Sequence, residues 1–188
     1  MITLDQFMAG VQAIIDSKPT YKLGQDGSKG TCDCIGLIIG AIRRAGGAWS
    51  GIHGSNYSAR NRMLTMLQNP KLERGTIVYK AFLPGEQGYN LPDTYAKHPD
   101  RRDYYHVGVV MSVSPLRIAH CTSWGTGSGI KIDTTINRWR FGGRLKNINY
   151  ITEVGGGIIV SAYAIVTVPN KGTVNMRSAP TTRGSPRH

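Results

Sequence analysis

The segment that organises the chain is TCDCIGLIIGAIRRAGG, residues 31–47. Its centre carries apolar residues at helical spacing, at Leu37, Ile38, Ala41 and Ile42. Asp33 is a residue type that caps helix N-termini. The arginines at 43–44 are favourable in the last turn of a helix because of its dipole, and the glycines at 46–47 are typical of a helix end. The segment therefore predicts a buried helix with Cys34 in its first turn.

Cys34 is a candidate nucleophile because of that position. Backbone N–H groups in the first turn of a helix lack an intrahelical acceptor, and together with the helix dipole they stabilise a thiolate. We therefore expect the helix to lower the pKa of the Cys34 thiol. The alternative is that Cys34 serves as a small buried apolar residue, as many free cysteines do.

Two histidines follow on a predicted hairpin. Alternating and β-branched residues predict strands over residues 105–111 and 116–121, with His106 near the start of the first and His120 near the end of the second. If the hairpin turns around Val113, His106 lies directly opposite His120, with Cβ atoms about 4.5–5.5 Å apart. A catalytic cysteine needs an imidazole within reach, and that imidazole needs a partner to orient it. The spacing therefore predicts a site made of Cys34, His106 and His120.

The remaining pattern predicts an α+β protein. Residues 4–17 have an amphipathic helical pattern that opens with a capping box at Thr3 and Gln6. Residues 57–68 predict a third helix with Met63, Leu64 and Leu67 turned inward. A strand over residues 76–81, a polar loop over 82–104, and further strands over 130–132, 145–151 and 158–168 complete the prediction. Helices followed by strands indicate helices packed on an antiparallel sheet.

Length and charge narrow the class of protein. The chain has 188 residues, enough for one domain, and a formal net charge of +12, which favours a polyanionic partner. The basic residues are scattered and form no recognition helix or aromatic-interleaved strand, so we do not expect nucleic acid. No apolar run reaches the length of a membrane span, and the N-terminus lacks the pattern of a secretory signal.

Short motifs around these residues resemble those of NlpC-type cysteine peptidases. The resemblance rests on Asp33-Cys34-Ile35-Gly36-Leu37, on His106-Val107-Gly108-Val109, on Ile118-Ala119-His120, and on Tyr21 with Gly24 upstream. It covers roughly residues 18–135, in the order that the family uses. The chain departs from the family pattern at Ile35, where a serine is usual, and in the long interval between Cys34 and His106.

The resemblance implies a papain-like fold and a peptidoglycan hydrolase that needs no cofactor. By this likeness Cys34 attacks an amide bond of a stem peptide, commonly the bond after γ-linked D-glutamate. His106 would act as base and then acid, and His120 would orient it. The backbone N–H of Cys34 and the hydroxyl of Tyr21 would stabilise the oxyanion, and Tyr21 and Asp33 would bind the amino end of the substrate.

The C-terminal tail changes in composition and suggests a second module. Residues 167–188 are rich in Pro, Gly, Ser and Thr, and Thr173–Pro180 is similar to the opening of bacterial SH3-type wall-binding domains. We therefore predict a peptidase domain over residues 1–166 and a linker with the start of such a domain over 167–188. This architecture resembles that of phage or prophage endolysins, which reach the cell wall through lysis or another export route. The expected partners are peptidoglycan and anionic wall polymers.

Other interpretations remain open at this point. Cys32, Cys34, Cys121 and a histidine could bind zinc, but the sequence has no Cys-x-x-Cys or His-Glu-x-x-His spacing, and we expect no metal. The same fold could serve an amidase acting at the sugar–peptide junction, an acyl transferase, or an inactive wall-binding module. Trp124, which follows His120 in a glycine-rich loop, is a further candidate for the substrate groove.

Overall fold

The computed structural model of the protein describes residues 1–124 and 128–150 in full, and the backbone of residues 152–154 and 157–159. Its helices are α1 (Leu4–Asp16), α2 (Cys34–Arg44) and α3 (Ser55–Asn61), with a 3-10 turn at Asp93–Tyr95. Its strands are β1 (Ile2–Thr3), β2 (Thr20–Tyr21), β3 (Thr31–Cys32), β4 (Leu67–Gln68), β5 (Ile77–Phe82), β6 (Asp103–Val113), β7 (Leu116–Thr122), β8 (Gly129–Asp133), β9 (Phe141–Gly143), β10 (Ile148–Asn149), β11 (Thr152–Val154) and β12 (Gly157–Ile159).

A six-stranded sheet in the order β4-β9-β5-β6-β7-β8 forms the centre of the described chain. All of its neighbouring strands run antiparallel. The helices α1 and α2 contact each other, and α2 packs on β6 and β7. The predicted fold class, N-terminal helices packed on an antiparallel sheet, is therefore confirmed.

The first two helices form as their sequences predict. Thr3 and Gln6 make the reciprocal capping box of α1. Asp33 caps α2, and its Oδ1 accepts a hydrogen bond from the backbone N–H of Gly36 at 2.6 Å. Helix α2 is buried continuously from Cys34 to Ile42, because it lies between α1 and the sheet. This burial holds the first turn of α2, and with it Cys34, rigidly against the strands that carry the histidines.

The region after α2 differs from its prediction. Helix α3 begins at Ser55 and ends at Asn61, and residues 67–68 form β4 instead of a last helical turn. Met63 is buried as expected, but Leu64 and Leu67 are 51% and 46% exposed, so their predicted inward orientation is wrong. The physical reason is tertiary: the backbone N–H of Leu64 donates to the carbonyl of Arg144, and β4 pairs with β9.

The C-terminal part of the sheet also differs from its prediction. The strand expected over residues 145–151 is reduced to β10, which pairs with β1. Strand β9, at Phe141–Gly143, lies where no strand was predicted. The predicted tail over residues 167–188, with its SH3-type resemblance, lies outside the described residues. Among the described residues, no helix has both the length and the apolar character to cross a bilayer.

The hairpin of β6 and β7 turns at Ser114-Pro115, with Val113 paired to Leu116. Val110 pairs with Ile118 and Ser112 with Arg117, so a β-bulge shifts the register by one residue between these pairs. The prediction that His106 lies directly opposite His120 is therefore wrong. His120 lies instead two residues from the position opposite His106, which makes the two histidines a diagonal pair on one face.

The sheet has two buried faces with different partners. Ile77, Tyr79, Val107 and Val109 belong to the main core, which includes the helices α1 and α2. The opposite face holds a smaller cluster of Val78, Val110, Ile118 and Trp139. Because side chains alternate along a strand, His106 and His120 belong to the second face, next to Trp139.

Candidate active site

Cys34 is the first residue of α2 and is 9% exposed. The backbone amides of Val107 and Ile35 hydrogen-bond to its thiol sulfur. Val107 immediately follows His106 on β6, so the contact fixes Cys34 beside that strand. The structure thus places Cys34, His106 and His120 on the wall of one cleft.

The protonation of this site differs from the expectation for Cys34. Burial, reinforced by the negative charge of Asp33, raises the pKa of the Cys34 thiol to about 12, although the two amides act in the opposite direction. The expected lowering of this pKa is therefore wrong for the free protein, because removal from water outweighs the helix terminus. Burial also lowers the pKa of His106 to about 3, with the charges of His120 and Lys80 adding to the effect. The free site therefore holds a neutral thiol and a neutral imidazole.

The two histidines contact each other directly. Nε2 of His106 and Nδ1 of His120 are 2.9 Å apart, and the rings meet edge to face. This leaves Nδ1 of His106 as the ring nitrogen that is not engaged by His120. The pair thus has the arrangement that a general base and its orienting partner require.

Trp139 covers both histidines. Its ring stacks on His106 at 5.6 Å between centroids and meets His120 edge to face at 5.4 Å. The indole is 1% exposed, so it excludes water from one side of the pair. Gly108 makes room for it, since a Cβ at that position would lie 3.0 Å from Cη2 of Trp139 and 2.9 Å from the carbonyl oxygen of Ala119.

A carboxylate stands behind His120. Oδ1 of Asp133, at the end of β8, lies 3.2 Å from Nε2 of His120, at ion-pair distance but without the alignment of a hydrogen bond. The other oxygen of Asp133 accepts from Nε1 of Trp139 at 2.9 Å and from Nζ of Lys80 at 3.3 Å. Lys80 also lies over the Trp139 ring, 4.3 Å from its centroid. Four side chains on different elements are thereby tied into one polar group.

The cleft in front of Cys34 has a volume of about 630 Å³. One part of its wall is aromatic and includes Phe82 and Tyr105, whose rings stack at 4.4 Å between centroids. Trp124 lies at its rim and is 82% exposed. Lys131 and Arg138 also line the cleft, so it combines aromatic surface with positive charge.

Tyr21 reaches the cleft through a short parallel pairing of β2 with β3, in which it lies opposite Cys32. Burial, together with the nearby Cys34, raises the pKa of the Tyr21 phenol to about 12. The hydroxyl therefore stays protonated and can donate a hydrogen bond. This is compatible with the predicted contact to a substrate oxygen, which stays a prediction.

Asp33 has a local role that the sequence predicts only in part. It is 1% exposed, and besides Gly36 its carboxylate accepts from the backbone N–H of Gly24 at 2.6 Å. Nε2 of His53 lies 2.9 Å from both of its oxygens. Asp33 thus joins α2 to the preceding loop and to His53, while its predicted contact with the substrate stays a prediction.

The other two cysteines lie behind the site. Cys32 and Cys121 are fully buried; the thiol of Cys32 donates to the carbonyl of Asp33 at 3.3 Å, and the thiol of Cys121 donates to the carbonyl of Cys32 at 3.2 Å. All three cysteines are free thiols. Within the described residues, no three His, Cys, Asp or Glu side chains are grouped so that they could hold a metal ion.

Sequence reasoning missed Asp133, Lys80 and His53 as parts of this site, and it considered Trp139 only as a groove or core residue. Asp133 directly follows the strand predicted over residues 130–132. The sequence could therefore have indicated its position next to the strand of His120. Lys80 likewise lies in a predicted strand, and it pairs with His106 in the structure. Trp139 and His53 lie on irregular segments, whose positions no periodicity indicates.

Comparison with known proteins gives a likeness in structure alone. No protein-family model matches the chain, and no curated protein sequence matches it. NlpC1 from Trichomonas vaginalis is similar in structure, with a TM-score of 0.48 and 16% identity over 73% of this chain and 43% of that protein. A lipoprotein-like protein of the NLP/P60 family from Staphylococcus aureus has a TM-score of 0.45 and 16% identity, over 77% of this chain and 42% of its own. The chain spans less than half the length of either protein, and the case for a function rests on the site.

Proposed function

We propose that the protein is an NlpC-type cysteine peptidase that hydrolyses amide bonds in peptidoglycan stem peptides. The observation that carries this proposal is the joint placement of Cys34, His106 and His120 on one cleft, with the histidines bonded at 2.9 Å. A nucleophile, a base and an orienting group are the minimum set for acyl transfer through a thioester. The sequence motifs at these positions add support from an independent source.

The reaction follows from the neutral site. As the Cys34 sulfur attacks the substrate carbonyl carbon, its proton passes to Nδ1 of His106, while Nε2 of His106 stays bonded to His120. The developing oxyanion is stabilised by the backbone N–H of Cys34 and the hydroxyl of Tyr21. The imidazolium then protonates the leaving amine, and the C–N bond breaks to leave a thioester. Water, deprotonated by His106, attacks the thioester carbonyl, and the thiolate leaves and regains the proton.

The cleft fits a peptide that carries negative charge. Lys131 and Arg138 on its wall and the net charge of +12 favour a substrate with free carboxylates and a polyanionic wall around it. Stem peptides with γ-linked D-glutamate meet this requirement, and we propose cleavage after that residue. The protein would then act at the bacterial cell wall, as an endolysin does.

The decisive experiment is digestion of purified peptidoglycan by the intact chain, by Cys34→Ala and by Cys121→Ser. Cys121 is buried outside the cleft wall, so its serine variant controls for the general effect of losing a thiol. We expect the intact chain and Cys121→Ser to release peptides and Cys34→Ala to release none. Mass spectrometry of the fragments identifies the bond: loss of whole stem peptides would indicate an amidase, and cleavage within them an endopeptidase. Equal release by Cys34→Ala would contradict the proposal.

A further inference from the structure

The carboxylate of Asp133 lies behind His120, and two other side chains hold it in place. Its Oδ2 accepts two hydrogen bonds, from Trp139 and from Lys80. These donors hold the group so that Oδ1 faces Nε2 of His120 at 3.2 Å. Trp139 and Lys80 can only donate, so the atom of residue 133 that faces them must be an acceptor.

Nε2 of His120 is buried and has no aligned hydrogen bond among the described residues. A buried N–H needs an acceptor, and Oδ1 of Asp133 is the acceptor that the fold places beside it. Burial by itself would raise the pKa of Asp133, but the hydrogen bond from Trp139, the contact with His120 and the charge of Lys80 outweigh it and lower that pKa. An ionised Asp133 can only accept, so it favours the His120 tautomer that carries its proton on Nε2.

The tautomer of His120 determines that of His106. With the proton on Nε2, Nδ1 of His120 is a bare acceptor, and the 2.9 Å contact then requires Nε2 of His106 to be the donor. A neutral His106 that is protonated on Nε2 has a bare Nδ1. In the proposed mechanism that nitrogen takes the proton of Cys34. The opposite tautomer of His120 would protonate Nδ1 of His106 and leave no base at the thiol.

We propose that Asp133 is a positioning residue that sets His106 in its basic tautomer, acting through His120. The inference rests on the proposed function for its catalytic consequence, but the tautomers themselves exist without any substrate. Lys80 and Trp139 support the role by holding Oδ2, which leaves Oδ1 for His120. The proposal thus extends the group from three residues to a chain of four: Cys34, His106, His120 and Asp133.

The test compares Asp133→Asn with Asp133→Ala. In Asp133→Asn, Trp139 and Lys80 retain the amide oxygen, so the NH₂ group faces His120, donates to its Nε2 and forces both histidines into the wrong tautomer. In Asp133→Ala the tautomers are free to interconvert. We therefore expect the nearly isosteric Asn variant to be the worse enzyme, with a loss in kcat on the order of 100-fold or more, and the Ala variant to retain more activity. A purely structural role predicts the reverse order.

Tautomers can be read directly by ¹H–¹⁵N NMR of the imidazole rings in the intact chain at neutral pH. We expect His106 and His120 to be protonated on Nε2 in the wild type and on Nδ1 in Asp133→Asn. Wild-type His106 protonated on Nδ1, or an Asn variant at least as active as the Ala variant, would overturn the inference. If the proposed function is wrong, Cys34→Ala matches the wild type in peptide release, while the tautomers are still those stated above. Failure of the proposed function can therefore be distinguished from failure of this inference.

Discussion

His106 and His120 share one face of the sheet because a β-bulge lies between them along β6. At the turn, Val113 pairs with Leu116, and that register continued along the strands would turn the two histidines to opposite faces. The extra residue, Met111, shifts the register by one and restores the common face. The contact of 2.9 Å between the imidazoles therefore depends on an irregularity in the strand that carries the proposed base.

The partly buried state of His106 predicts a stability that depends on pH. Its pKa is lowered to about 3 in the folded protein, so between the ordinary value of 6.5 and about 3 the unfolded chain binds more protons. Stability is therefore complete above pH 6.5 and falls as the pH falls through that window, by at most about 1.4 kcal/mol per pH unit from this group. We expect His106→Gln to flatten the slope of unfolding free energy against pH, measured by urea unfolding between pH 7 and pH 4.

The control for this prediction is His98→Gln, which removes a histidine outside the cleft wall. This variant should leave the slope of unfolding free energy against pH as it is in the wild type. If His106→Gln and wild type lose stability in parallel as the pH falls, the imidazole is not held neutral by burial and the account of the free site is wrong.

Gly108 should be intolerant of a methyl group because Trp139 lies over it. In Gly108→Ala, the new Cβ would meet the carbonyl oxygen of Ala119 at 2.9 Å and the indole at 3.0 Å, so the indole or the strand must move. We expect a loss of about 1–3 kcal/mol in unfolding free energy, typical of overpacking, and a larger loss of activity because the histidine pair loses its cover. Chemical unfolding measures the first effect and peptide release measures the second, while tryptophan fluorescence reports whether the indole moves.

Gly54→Ala is the matched control, since its Cβ would meet nothing closer than 4.0 Å. It should leave peptide release and the fluorescence spectrum unchanged. Unchanged fluorescence and activity in Gly108→Ala would show that the indole does not depend on the space above Gly108.

Gly36→Ala should destabilise the protein although alanine is the better helix former. An added Cβ would lie 1.8 Å from the carbonyl oxygen of Gln25 and 2.9 Å from Oδ1 of Asp33, so the first turn of α2 would have to shift. Propensity alone predicts a gain of roughly 0.5–1 kcal/mol, whereas the clash with backbone predicts a net loss of at least about 2 kcal/mol. Ala9→Gly on the exposed side of α1 measures propensity without a clash, and its loss should be about 1 kcal/mol. A stabilised Gly36→Ala would contradict the packing described for α2.

The elements that sequence predicted best are those whose signal is local. Helices α1 and α2 follow from caps and apolar spacing within the segment, and the two strands that carry His106 and His120 follow from alternation. Their register could not be predicted, because the bulge and the turn at Ser114-Pro115 are set by packing across the sheet. The raised pKa of Cys34 was missed for a similar reason: the local helix terminus is visible in the sequence, and the burial that outweighs it is not. Asp133 could be placed directly after a predicted strand, but its partners His120, Trp139 and Lys80 come from other parts of the chain.

Tyr21 offers a test of how the cleft stabilises an oxyanion. Its hydroxyl stays protonated because burial raises its pKa to about 12, and it lines the cleft together with Cys34. In Tyr21→Phe the donor is lost while the ring remains, so we expect kcat to fall by roughly 10–100-fold, somewhat less than for a backbone-like donor in an oxyanion hole, with little change in unfolding free energy. Tyr105→Phe is the control, because it removes a phenol from the same cleft to which no hydrogen-bonding role is assigned. A fall in kcat for Tyr21→Phe alone places the hydroxyl at the developing charge. A rise in KM with kcat unchanged would instead assign it to binding the amino end of the substrate, and equal effects of the two variants would remove Tyr21 from the mechanism.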